Sequence, residues 1–119
     1  MTKIQKSKQY DLEDRTFAFS KGIVAYVKKL PKTMINIEIG RQLIRSGTSV
    51  GANYIEANES LGKKDFAMRI KISRKEAKES RYWLKLSEPK KEQEKECKAL
   101  ILESTELMNI FGAILRKVQ

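Results

Sequence analysis

Lysine and arginine crowd one stretch of this chain. Between residues 61 and 87 stand nine basic side chains against three acidic ones, a local +6 out of a net +10 for all 119 residues. Placed on a helical wheel at about 100° per residue with Ile70 as origin, Lys63, Lys64, Lys71, Arg74, Lys75, Lys78, Arg81 and Lys85 fill an arc from about 20° to about 140°, broken only by Ala67 and Tyr82. The acids Asp65, Glu76 and Glu79 fall on the far side. At about 1.5 Å of rise per residue the stripe is about 33 Å long. Such a row can neutralise several phosphates of a polyanion and release their counterions, with Tyr82 available to stack. RNA or DNA is the expected partner, held by its backbone through Lys64, Lys71, Arg74, Lys75, Lys78, Arg81 and Lys85 with little preference for base sequence. A lysine face that only keeps the protein in solution, or one that meets a protein such as a polymerase, has the same composition.

Other chemistry is poorly supplied. Without a single histidine, the usual zinc sites, imidazole acid–base catalysis and a Ser-His-Asp triad are all excluded. Cys97 is the only cysteine, so no intramolecular disulfide forms, and its place in an apolar ladder marks it as a small core residue rather than a reactive thiol. Glu56 and Glu79 are candidates for a two-carboxylate site, but di-metal bundles combine Glu with Glu-x-x-His pairs, and ion pairs with Arg41, Arg45 or Arg69 are the better expectation. The stretch Ser46-Gly47-Thr48-Ser49-Val50-Gly51 is glycine-rich like a phosphate-cradling loop, yet it lacks the Gly-Lys-Ser/Thr ending and no strand precedes it. The expectation is a protein with no catalytic residue, no metal and no cofactor, and not an enzyme.

Four helices are needed to position these residues. Pro31 and Pro89 are the only prolines, and each follows a long segment of helical period. Before Pro31, Leu12, Thr16, Phe19, Ile23, Tyr26 and Leu30 step by three and four; between the prolines, Ser60-Leu61-Gly62-Lys63 is the break that leaves two segments of comparable length. After Pro89, a charged run to Glu96 reads as a solvated loop and first turn, and Cys97, Leu100, Ser104, Leu107, Phe111, Ile114 and Val118 continue the rhythm. In the second segment Ile39, Leu43, Gly47, Val50, Tyr54, Ala57 and Leu61 form one ladder, and Gln42, Ser46, Ser49, Asn53, Glu56 and Ser60 form a polar one beside it. Both run through the glycines, so that segment is helical, with small residues admitting another helix closely. Short connections between helices of similar length give an all-α, antiparallel up-down-up-down four-helix bundle over residues 11–119, preceded by a flexible basic arm, residues 1–10, carrying Lys3, Lys6 and Lys8. The remaining face of the third helix, with Met68, Ile72, Trp83 and Leu86, is too apolar for free solvent. Together with Ser49, Asn53 and Glu56 of the polar ladder, Ile72, Trp83 and Leu86 are the expected contacts of a homo-oligomer. The longest apolar stretch, residues 22–27, is far short of the ~20 residues that cross a membrane, and a cytoplasmic protein is expected.

Several of these segments resemble a known family. Arg45-Ser46 followed by Ser49-Val50-Gly51-Ala52-Asn53-Tyr54-Ile55-Glu56-Ala57 is similar to the second-helix signature of the 23S rRNA intervening-sequence proteins, bacterial four-helix-bundle proteins in which it typically reads Arg-Ala, two residues, Ser-Ile-Pro-Ser-Asn-Ile-Ala-Glu-Gly. Gly62-Lys63-Lys64-Asp65-Phe66 resembles the family's turn into helix three, Lys75-Glu76-Ala77-Lys78-Glu79-Ser80-Arg81-Tyr82-Trp83-Leu84 its helix-three motif, and Tyr10-Asp11-Leu12 its opening, a likeness spanning roughly residues 10–117. Gly51 replaces a common proline and Ala57 a common glycine, which implies a straighter second helix. The resemblance implies a ring-shaped homo-oligomer, commonly a pentamer. A related branch serves as accessory subunit to the reverse transcriptase of diversity-generating retroelements, where a basic surface contacts nucleic acid and the enzyme.

Overall fold

The computed structural model describes residues 2–118, with the side chains of residues 12–118. Four helices make up the described chain: α1 (Thr2–Lys29), α2 (Met34–Asn58), α3 (Lys63–Leu86) and α4 (Glu94–Val118), the last preceded by a 3-10 turn at Lys91–Gln93. Pro31 follows the end of α1, Thr33 caps α2 by accepting the Asn36 N–H at 3.1 Å, and Gly62 in an extended conformation leads into α3. α1 begins within the segment expected to be a flexible arm; residues 1–10 contain neither proline nor glycine to stop it. The side chains of Lys3, Lys6 and Lys8 lie outside the described residues.

The contacts give the directions of the helices. Across α1 and α2, Thr16 faces Gly51, Ile23 faces Gly47 and Val27 faces Gly40. Across α2 and α3, Ser46 Oγ meets Ser80 Oγ at 2.9 Å, Ser73 Oγ donates to the Val50 carbonyl at 2.9 Å, and Arg69 donates to Asn53 at 3.1 Å. Across α3 and α4, Arg81 reaches Thr105, while Arg74 lies at Gly112. In each case rising numbers on one helix meet falling numbers on the next, so consecutive helices are antiparallel. α2 and α3 meet most extensively, and α1 and α4 least.

The core is made of the expected ladders, with Tyr26, Phe111, Ile23, Leu43, Ile70, Leu84, Leu107 and Val50 fully buried at its centre. The two small-residue positions of α2 have different jobs. Gly47 and Gly40 face α1, where a Cβ at position 47 would lie 2.9 Å from two Ile23 carbons, whereas Ser46 faces α3. α2 runs unbroken through Gly51, as a signature without proline implies.

One expectation changes, and the packing adds detail to others. Leu61, the last rung of the second ladder, is fully exposed because α2 ends at Asn58 and leaves it in the turn. Glu76, which the wheel sets on the side away from the cations, is buried at 8% exposure beneath Arg45. The run from Glu88 to Glu96 is a largely exposed loop and first turn, as expected, pinned at two points: Gln93 is buried and donates to the Tyr26 carbonyl at 3.1 Å, and the Asn36 side chain holds both the N–H and the carbonyl of Glu88 at 2.9 Å. Above that clamp the Tyr26 hydroxyl shares a buried 2.7 Å hydrogen bond with Ser87, and burial pushes its ionisation upward, so it stays a neutral core phenol. Finally, the polar ladder of α2 hydrogen-bonds across to α3, where Ser46 is bonded to Ser80 and Asn53 to Arg69.

Candidate nucleic-acid interface

α3 owes its charge to its burial pattern. Its inner side needs small or apolar residues at Ile70, Ser73, Ala77, Ser80 and Leu84 to pack against α2, which leaves the positions between them for long side chains. Lys64, Lys71, Arg74, Lys75, Lys78 and Lys85 are exposed, and Arg81 is half-buried because its guanidinium donates to Thr105 Oγ1 at 3.1 Å. All seven expected residues therefore lie along α3, but they do not share one hollow. Lys71, Arg74, Lys75 and Lys78 form one bank of a groove of about 510 Å³ between α3 and α4. Lys64 and Lys71 border a second hollow of about 710 Å³ at the start of α3, beside Gly62, Asp65 and Met68, and Arg81 and Lys85 line neither.

The other bank of the α3–α4 groove comes from α4, which the sequence reading did not include. Arg116 and Gly112 line it, with Met108 and Leu115. A Cβ at position 112 would lie 3.6 Å from Arg116 Nη1 and 3.7 Å from Arg74 Nε, so guanidiniums from two helices meet over one glycine. Among the described residues no acid lines this groove and neither arginine has a carboxylate partner. Residues 88–119 carry no net charge, which hides Arg116 in composition. Only the step Thr105, Met108, Gly112, Leu115, Arg116 along α4 could have placed it beside α3.

The paired carboxylates lie elsewhere. Arg45 bridges Glu76 at 3.2 Å and also bonds Glu79, whose Oε2 accepts the Trp83 indole N–H at 3.0 Å. Arg15 grips Glu103 through two nitrogens at 2.7 and 2.8 Å and reaches Glu106 at 2.6 Å; its hydrogen bonds to Glu103 hold its ionisation above the ordinary arginine value against a partial burial penalty. Among the described residues no cluster of His, Cys, Asp or Glu is arranged to hold a metal. Of the expected oligomer contacts, Ile72 and Trp83 are half-buried and Leu86 is exposed, while Ser49 bonds back to the Arg45 carbonyl and Glu56 is exposed.

Residues 8–113 match the sequence pattern of the 23S rRNA-intervening sequence protein family. The chain belongs to that family. A crystal structure of a protein with unknown function from the S23 ribosomal protein family of Bacteroides thetaiotaomicron VPI-5482 resembles it with a TM-score of 0.72 at 30% sequence identity, over 87% of this chain and 96% of that one. No curated protein matches it. The α2 and α3 segments whose motifs resemble those of the 23S rRNA-intervening sequence proteins pack on each other. Arg45, Ser46 and Val50 of α2 meet Glu76, Glu79, Ser80 and Ser73 of α3. No helix of the described residues is long and apolar enough to cross a membrane.

Proposed function

We propose that this protein is a non-catalytic, homo-oligomeric four-helix bundle that binds RNA or DNA by its backbone through the basic face of α3, acting in the cytoplasm without a cofactor. The observation that carries this reading is the acid-free cationic groove, in which Lys71, Arg74, Lys75 and Lys78 of α3 are answered across α4 by Arg116. Like charges converge at a desolvation and repulsion cost that an anion removes. The family's name refers to 23S rRNA, which supports a nucleic acid as that anion. Fluorescence anisotropy of the protein with labelled RNA and DNA strands over a salt series is the test. The logarithm of affinity is expected to fall linearly with the logarithm of salt, with a slope near −0.7 for each single-strand phosphate neutralised. Absence of binding at low salt, or a flat dependence, removes the reading.

A ring-shaped scaffold that recruits a protein such as a polymerase, without touching nucleic acid, is the second reading. It is favoured by apolar side chains left outside: Met68 and Leu86, both about half exposed, continue the strip of Ile72 and Trp83 on α3. The same strip supports self-association, as a pentamer by likeness to the family. Light scattering at micromolar concentration is expected to give a mass several times that of the 13.7 kDa chain, and Trp83→Ala is expected to lower it. A monomeric wild type ends the oligomer proposal, and an unchanged mass for the variant removes Trp83 from the contact.

A further inference from the structure

A solvated lysine face needs no concavity, and a surface that grips only phosphates needs no apolar floor. The groove between α3 and α4 has both. Its volume of about 510 Å³ lies between Lys71, Arg74, Lys75 and Lys78 of α3 on one side and α4 on the other, where Met108 and Leu115 add apolar lining beside Arg116. Gly112 leaves the space between the cations open: a side chain starting there would run directly into Arg74 Nε and Arg116 Nη1, which lie 3.7 and 3.6 Å from where its Cβ would stand. Two guanidiniums held over one backbone position offer several N–H donors to a tetrahedral anion, the geometry for which arginine is suited and lysine is not. An apolar surface beside such a pair suits a flat, unpaired base whose own phosphate is already held. A duplex keeps its bases stacked inward and presents a convex backbone, so it can use the cations but not the floor.

We propose that the α3–α4 groove is a single-strand nucleic-acid site, seating one phosphodiester between Arg74 and Arg116 and the adjoining base on Met108 and Leu115. The site rests on the reading that the basic face of α3 binds nucleic acid, and it adds α4 as the second wall and the unpaired strand as the ligand. It involves no covalent step. Its ligand chemistry is shared by RNA and DNA.

The test compares labelled oligouridylate, oligothymidylate, an abasic strand of equal length and charge, and a duplex of equal length, all at one low salt concentration, with wild type and three variants. Either single strand is expected to bind about tenfold more tightly than the abasic strand, because bases are lost while phosphates are kept, and also more tightly than the duplex. Arg116→Gln, at an exposed position in the last turn of α4, is expected to weaken single-strand binding severalfold and to lower the salt slope by about 0.7. Gly112→Glu puts a carboxylate between the two guanidiniums and is expected to abolish the preference for single strands, with circular dichroism confirming the fold. Lys64→Gln with Lys85→Gln, outside the groove, serves as the control for general attraction. Equal affinity for base-bearing, abasic and duplex ligands, or loss only in the Lys64/Lys85 variant, overturns the groove site while leaving α3 as a binding face. No binding of any strand overturns both.

Discussion

Gly47→Val is expected to lower the free energy of unfolding by about 3 kcal/mol, measured by urea titration with circular dichroism. A Cβ at this position would lie 2.9 Å from Ile23 Cγ1 and Cγ2 and 3.1 Å from Ile23 Cβ. These are not the loose ends of a flexible chain: Ile23 is fully buried, branched at Cβ and part of the α1 backbone wall, so relief requires the helices to part. Parting them would also lengthen the 3.0 Å hydrogen bond from Ser20 Oγ to the Gly47 carbonyl. Gly47→Ala carries the same conflict at smaller size, and its gain of about 1 kcal/mol in helix propensity offsets only part of it, leaving a net loss of about 1 kcal/mol. The same change at Gly112 has the opposite sign. There a Cβ meets only arginine tips at 3.6 Å or more, ordinary contacts, and the propensity gain of about 0.5–1 kcal/mol is kept. If the two alanine variants shifted stability alike, the close approach of α1 and α2 at Gly47 would be wrong.

Asn36→Asp, nearly isosteric, is expected to cost more than Asn36→Ala: about 3 kcal/mol against about 2. The Asn36 side chain is 3% exposed, donates from Nδ2 to the carbonyls of Pro31 at 3.0 Å and Glu88 at 2.9 Å, and accepts the Glu88 N–H at Oδ1. Alanine leaves these groups without partners. Aspartate keeps the acceptor but sets a second oxygen against two carbonyl oxygens, and the attraction of a carboxylate to the start of α2, about 0.5 kcal/mol, is too small to compensate. The aspartate variant also acquires a pH dependence. Facing carbonyls in a buried site, its carboxyl is easier to protonate folded than unfolded, so the folded state binds the extra proton. Its penalty should be full at neutral pH and shrink as pH falls through the raised folded value toward the ordinary aspartate value of about 3.9. A penalty independent of pH, or smaller than that of alanine, would show that Asn36 does not clamp the α3–α4 connection to the start of α2.

What could be read from the sequence was set by period and punctuation. Leu12 to Leu30 and Cys97 to Phe111 are apolar at three- and four-residue steps, and an apolar side chain on such a face has nowhere to go but the core. The α3 stripe was legible for the converse reason, since eight cations on one side of a helix have nowhere to go but outward. Ser73 and Ser80 were not legible as core residues, because a hydroxyl buries cheaply only when it finds a partner, and theirs are the Val50 carbonyl and Ser46 on another helix. Glu76 is the charged form of the same problem: its burial depends on Arg45, 31 residues away. Arg116 became part of the candidate site only through the packing of α4 on α3, which no single-helix wheel contains.

The uneven ring of helix contacts has a consequence for how the chain comes together. Each of the pairs α1–α2, α2–α3 and α3–α4 is a hairpin closed by a short connection, so its ordering entropy is modest and its contacts can form early and fast. Of the contacts between neighbouring helices among the described residues, the seam between α1 and α4 joins the most distant parts of the chain, as where Arg15 meets Glu103 across 88 positions, and it is the least extensive. Much of it is charge: Arg15 with Glu103 and Glu106, and Lys29 with Glu96 at 3.1 Å. The bundle is thus expected to close last, and to open first, along a line of ion pairs. Salt, which screens exposed pairs while leaving the apolar hairpins intact, loosens the molecule selectively at that line.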